Sequence, residues 1–318
     1  MKLPPPHPFP MANDRPACLP RQPDAGSPPF TRHPAPVAPR AFSLVEILVT
    51  ITLMSFIVLG LMAMFNQTQR AFQSSMAQTD VLESGRAVMD LLARELEQIS
   101  PSNLSTGINF YSWYIPRTPV PARPLTQELP GEPPNSATRR TNVLQEFFFL
   151  TRSNQYWSGI GYLVGTPALG AGTLYRFDTY AHNSRPDLIA NFSQSFQAAS
   201  LSNLHRVAEG IVHLRLRAFA ANGGLIAPIG AFTNVINATS RWDLVKVKGE
   251  IQYAFWSNAV PAYLEVELGI LESKVLERFR SMENSPDVAR AFLEKQAGRV
   301  HLFRQRVPVR NVDPSVYR

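Results

Sequence analysis

Thiols are almost missing from this chain of 318 residues: Cys18 is its single cysteine, and everything from Phe42 onward has none. Disulfides, Cys-ligated zinc, iron–sulfur clusters and thiolate nucleophiles are excluded from that stretch. Charge is sparse as well, at 17% of residues against 45% apolar, a balance that can bury a core and does not read as disorder. The formal net charge of +7 is inflated by the head of the chain, Met1–Ala41, where Lys2, Arg15, Arg21, Arg32 and Arg40 face Asp14 and Asp24. What remains is only about +4, a weak basis for nucleic acid as the principal ligand.

Catalytic signatures are missing too. No H-E-x-x-H or G-x-S-x-G occurs, and His182, His205, His213 and His301 stand apart from one another. The glycine-rich run Gly159–Gly172 is followed by no Gly-Lys-Ser/Thr and reads as turns in a sheet. Glu265 and Glu267 fall on the exposed phase of a strand pattern, where a solvated face is expected. The sequence therefore predicts no catalytic, cofactor-binding or metal-binding residues, and a protein that is not an enzyme.

Proline is unevenly spread. Thirteen of the 28 lie between Met1 and Ala41, eight lie in 101–141, and none occurs between Phe42 and Ser100. The reading is a Pro-rich head over 1–41, a long helix over 42–100 closed by Pro101, a Pro-rich loop over 101–141 and a β-rich domain over 142–318. Gly60 and Gly85 are the places where that helix is expected to bend.

From Phe42 to Phe65 the chain reads FSLVEILVTITLMSFIVLGLMAMF, with Glu46 as its only charge. At about 1.5 Å per residue such a helix can cross a hydrocarbon layer of about 30 Å. A secretory signal has an apolar run of about 7–15 residues and a small-residue exit, neither of which fits. Glu46 is costly there, on the order of 2.5–3.5 kcal/mol at the membrane centre and less near an end. A specific partner is the physical reason to keep it.

The stretch Arg40-Ala41-Phe42-Ser43-Leu44-Val45-Glu46 resembles the processing and methylation motif of type IV prepilins and type II secretion pseudopilins. The resemblance implies that a prepilin peptidase cuts between Ala41 and Phe42 and methylates the new amino terminus of Phe42. It also implies that Glu46 pairs with the terminal amine of a neighbouring subunit. Ala41 stands where the family usually has Gly. With Arg32 and Arg40 beside the span, the positive-inside rule puts the leader in the cytoplasm and the body on the far side of a bacterial inner membrane.

Beyond Arg70 the pattern turns amphipathic, so that 42–65 reads as the transmembrane half and 66–100 as a half that packs on a domain. Val81, Val88, Leu92, Leu96 and Ile99 recur at helical spacing, with Glu83, Arg86, Asp90, Arg94 and Glu97 opposite. The stretch from Glu83 to Leu96, and the strand entry Ala259-Val260-Pro261-Ala262 with the alternation that follows it, resemble J-type minor pseudopilins.

Strand patterns follow at Phe147–Leu150, Gly161–Val164, Leu174–Tyr180, Ile211–Phe219, Leu244–Trp256, Ala262–Ile270 and Val300–Val309. Val212, Leu214 and Leu216 alternate with His213, Arg215 and Arg217, as in a half-buried strand. Ser285-Pro286-Asp287 opens an inserted helix over about 285–297, with Ser285 as its cap. The fold class expected is α+β, a long N-terminal transmembrane-to-amphipathic helix packed on an antiparallel sheet, which the resemblance makes pilin-like. The expected function is a minor pseudopilin-like subunit of a membrane-anchored secretion or pilus-like filament, contacting other pilins through its helix. The alternative is a DNA- or surface-binding minor pilin. Its support is the stretch Arg278–Arg318, where nine Arg and Lys face four Asp and Glu.

Overall fold

The computed structural model describes residues 43–114, 125–128, 139–165, 169–226, 234–236, 242–247 and 250–313. Two compact units divide the chain, Met1–Leu61 and Met62–Arg318. Without a proline to interrupt it, helix α1 runs over Leu44–Leu96 and is continuous through Gly60 and Gly85. Neither glycine ends or breaks it.

Among the described residues twelve strands follow: β1 Ile108–Trp113, β2 Leu125–Glu128, β3 Arg139–Asn142, β4 Glu146–Ser153, β5 Tyr156–Val164, β6 Gly172–His182, β7 His205–Phe219, β8 Asn234–Ile236, β9 Trp242–Val247, β10 Glu250–Trp256, β11 Tyr263–Leu271 and β12 Val300–Pro308. Ten form one sheet in the order β12-β11-β7-β6-β5-β4-β1-β10-β9-β8, and β2 and β3 make a separate pair. Each neighbouring pair in the large sheet is antiparallel. The α-helices among the described residues are α1, α2 Pro186–Ala198, α3 Ser273–Arg280 and α4 Pro286–Glu294. The class is α+β.

The C-terminal half of α1 supplies one wall of the main core. Val81, Val88, Met89, Leu92, Ala93 and Leu96 are buried, with Phe147, Phe149, Tyr162, Leu264, Val266 and Leu268 in the same cluster. Each fully buried side chain of this size contributes about 1.5–3 kcal/mol. The charged residues Glu83, Arg86, Asp90 and Arg94 are exposed, as the helical spacing predicts.

On the other face of the sheet, α2 buries Ile189, Phe192 and Phe196 with Phe148, Leu150 and Trp157. Strand β4 is thus buried on both sides, which is why its sequence is a continuous apolar run and not an alternation.

Three sequence readings change. The segment 101–141 is not simply a loop, because β1 lies inside it, between β4 and β10, as an interior strand. Phe110 and Tyr111 are both fully buried, so β1 lacks the alternation that marks a half-exposed strand. Asn109, also fully buried, anchors its start by accepting from the Ser102 N–H at 2.9 Å and donating to Ser257 O and Ala259 O at 2.7 and 2.9 Å. Gly159, read as a turn residue, lies within β5, as does Gly161, the start of an expected strand. A Cβ on either would come within 2.9 Å of Phe192 or 2.7 Å of Phe196, so each glycine is the socket for a ring of α2. The inserted helix is present as α4, but Ser285 makes no side-chain cap there, and a further helix that the sequence reading did not contain, α3, precedes it.

A fourth difference is local. A register shift between Gly269 and Ile270 on β11 breaks the alternation of β7. Val212 therefore joins Leu271, Phe279 and Leu293 beneath α3 and α4, while Leu214 and Leu216 join the main core.

Candidate assembly site

Glu46 lies in the first turn of α1, where the N–H groups of Glu46 and Ile47 donate to Ser43 O at 3.0 and 3.2 Å. Ala41 and Phe42, the expected cleavage pair, lie outside the described residues. Residues 44–65 are all exposed, and α1 is long and apolar enough to cross a membrane.

The polar atoms within this segment are satisfied by the helix itself. Thr50, Thr52 and Ser55 donate to Ile47 O, Val49 O and Ile51 O, each at 2.8 Å. In a medium without water, hydroxyls closed onto their own helix are tolerated, because no donor is left without a partner. Glu46 is the one ionisable side chain between Ser43 and Phe65, and its exposed carboxylate must find compensation from outside that segment.

A second polar assembly lies on the sheet. In register, β11 sets Glu265 opposite Arg217 of β7 and Arg306 of β12, and Glu267 opposite Arg215 and Arg304. Glu265 accepts from Arg304 at 2.8 Å and Arg217 at 3.3 Å. Glu267 has Arg304, Arg215 and Arg217 at 3.5, 3.6 and 3.7 Å. This corrects the reading of the two glutamates as a solvated face, since their side chains are only 10% and 17% exposed.

His213 completes the cluster. Its Nδ1 accepts the Val143 N–H at 3.1 Å, which puts the proton on Nε2, 3.4 Å from Glu267 Oε2. The hydrogen bond from His213 is the main reason that the Glu267 pKa is lowered to about 2. Burial opposes the shift, and the charges of Arg217 and Arg215 add to it.

A third contact ties α1 to the sheet. Glu95 accepts from the Tyr162 hydroxyl at 2.6 Å and pairs with Arg176 at 3.0 Å. Burial, with the Glu95 carboxylate beside it, pushes the Tyr162 phenol up, so it stays a donor. Glu95 did not stand out in the sequence, because its partners lie 67 and 81 residues away.

Among the described residues no three His, Cys, Asp or Glu side chains gather as a metal site. His205 is 3.4 Å from Asp178 and His301 is 3.4 Å from Glu272, while His182 is held by Ser184 and Gln155. No protein-family model, no curated protein and no solved structure matches the chain. The candidate site therefore rests on Glu46 and the apolar helix around it.

Proposed function

We propose that the chain is a prepilin-type subunit, cleaved between Ala41 and Phe42, N-methylated at Phe42 and held in a bacterial inner membrane by the first half of α1. The observation that carries this reading is a single helix with two different halves. The first is apolar and exposed except for one carboxylate at Glu46, and the second is built into the core of a β-rich domain. A membrane anchor alone has no use for an acid in its first turn. A filament subunit does, because the amine of a neighbour, beside a carboxylate in a poor dielectric, compensates it far better than water-exposed charges compensate each other.

The body is large for the repeating subunit of a tightly stacked fibre, which favours a minor, J-like position in a secretion or pilus-like filament. The DNA-binding alternative draws on Arg278–Arg318. Arg299 and Arg304 of that stretch are paired with Glu272 and Glu265 at 3.3 and 2.8 Å, so less of its charge is free for phosphate than the sequence count implies.

Co-expression with a prepilin peptidase is the test. The 35.5 kDa chain should lose everything up to Ala41 and begin at methylated Phe42, and Ala41→Gly should be processed at least as fast. An intact leader in membranes that contain active peptidase would end the assignment.

A further inference from the structure

Strand β12 ends the ten-stranded sheet, so among the described residues one of its edges has no strand beside it. Arg304, Gln305 and Arg306 are all exposed. Three consecutive exposed residues on a strand mean that neither face is covered there, because a strand lying on a core hides every second side chain. Open edges carry unpaired N–H and C=O groups and are templates for a further strand.

The side chains across this part of the sheet alternate in sign by strand. Strand β7 presents Arg215 and Arg217, β11 presents Glu267 and Glu265, and β12 presents Arg304 and Arg306 at the matching registers. Opposite charges on neighbouring strands attract and like charges directly opposite repel. The ladder stops on its positive member.

Arg304 is already shared between Glu265 and Glu267, yet its side chain is 60% exposed. Arg306 has no carboxylate within ion-pair distance among the described residues. Its guanidinium lies 4.1 Å from the Phe219 ring centroid and 4.9 Å from that of Tyr263, and it donates to Gly223 O at 3.1 Å. These contacts hold the guanidinium over β11 and β7 and leave its charge without a carboxylate among the described residues. Such a donor group is prepared for an incoming carboxylate.

We propose that the free edge of β12 takes an extended segment of another protein, added as an eleventh strand, with acidic residues at alternate positions opposite Arg304 and Arg306. The backbone of the edge supplies affinity. The two arginines set register and reject a basic strand. The exposed Leu302, two residues before Arg304 on the same face of β12, favours an apolar residue at the corresponding end of the incoming segment. This inference does not depend on processing at Ala41 or on the role of Glu46.

The probe is a decapeptide of alternating Thr and Glu, titrated against the full chain in non-ionic detergent by fluorescence anisotropy, with alternating Thr and Lys as the control. The Glu peptide should bind at least ten times more tightly than the Lys peptide. Arg306→Gln, which leaves every carboxylate pair of the ladder in place, should weaken it at least fivefold. N-methylation of alternate amides in the Glu peptide should abolish binding, and the β12 amides should gain protection from hydrogen exchange when the unmodified peptide is bound. Equal binding of the Glu and Lys peptides would overturn the proposal, as would a methylated peptide that binds as well as the parent. Duplex DNA that binds more tightly than the Glu peptide, and is displaced by salt, would replace the acidic-strand partner with a nucleic acid.

Discussion

Alanine in place of a helix-interior glycine ordinarily stabilises a protein by up to about 1 kcal/mol, and at Gly85 the opposite result is expected. Gly85 is buried on the face of α1 that meets the sheet, and the tip of the Phe303 ring from β12 points at it. A Cβ there would lie 2.1 Å from Phe303 Cζ and 2.2 Å from Cε2. Relief requires the ring to leave its rotamer, at about 0.5–1.5 kcal/mol, or the strand to withdraw from the core, within the range of about 1–3 kcal/mol for overpacking. Set against the propensity gain, Gly85→Ala should lose about 1 kcal/mol, or about 2–4 °C in Tm for a unit of this size. Unfolding followed by near-ultraviolet circular dichroism of the detergent-solubilised chain reads the tertiary contact directly. The reasoning requires coupling: in a Phe303→Leu background, where the ring tip is gone, Gly85→Ala should become neutral or stabilising. Gly60, with nothing within 4 Å, is the control position, where alanine should leave this transition unchanged. If Gly85→Ala stabilises the wild-type chain, or if its effect is the same with Leu at 303, the socket does not exist as described.

The Glu267 carboxyl has a folded pKa of about 2 against an ordinary value of 4.5, so its contribution to stability is present in full above about pH 4.5 and is lost as pH falls towards 2. Each pKa unit corresponds to about 1.4 kcal/mol, and with the side chain 17% exposed we discount the sum to about 2 kcal/mol. Glu267→Gln should lose about that much at pH 7 and flatten the acid limb of the stability curve, which urea titrations at pH 3, 5 and 7 measure. An acid limb as steep as wild type would remove Glu267 from the account. On the proposed prepilin reading, Glu46→Val removes a costly charge from the apolar segment, so membrane insertion should hold or improve while cross-linking to neighbouring subunits falls. Undiminished cross-linking would deprive the carboxylate of a registering role.

The chain was legible wherever a single periodicity decided the outcome. An uninterrupted apolar stretch followed by a 3.6-residue pattern marked α1, and Leu264, Val266 and Leu268 against Glu265 and Glu267 marked the alternation of β11. Legibility failed where burial on both sides erased the period, as in β1, or where a glycine served a neighbour distant in sequence. Gly159 read as a turn residue because the phenylalanine that fills its missing side chain lies far along the chain, at Phe192, as Phe196 does for Gly161. The helix that carries those rings had local marks, with Pro186 at its start and Ile189, Phe192 and Phe196 at helical spacing, but they sit in a short stretch of otherwise polar residues.

The ladder on β7, β11 and β12 failed for a different reason. Each of its charged residues reads correctly as pointing away from the core, and the error lay in equating that direction with solvent. On an isolated strand, Glu265 and Glu267 would be solvated. Between two strands that place arginines at their registers they become nine-tenths and about four-fifths buried while still facing away from the apolar core. Burial of a charge on a sheet is thus a property of three strands at once, and a single-sequence pattern describes one strand at a time. The same reasoning gives the open side of β12 its meaning: Arg304 and Arg306 have a carboxylate-bearing strand on one side only, and a further strand bearing carboxylates would cover them as β7 and β12 cover the glutamates of β11.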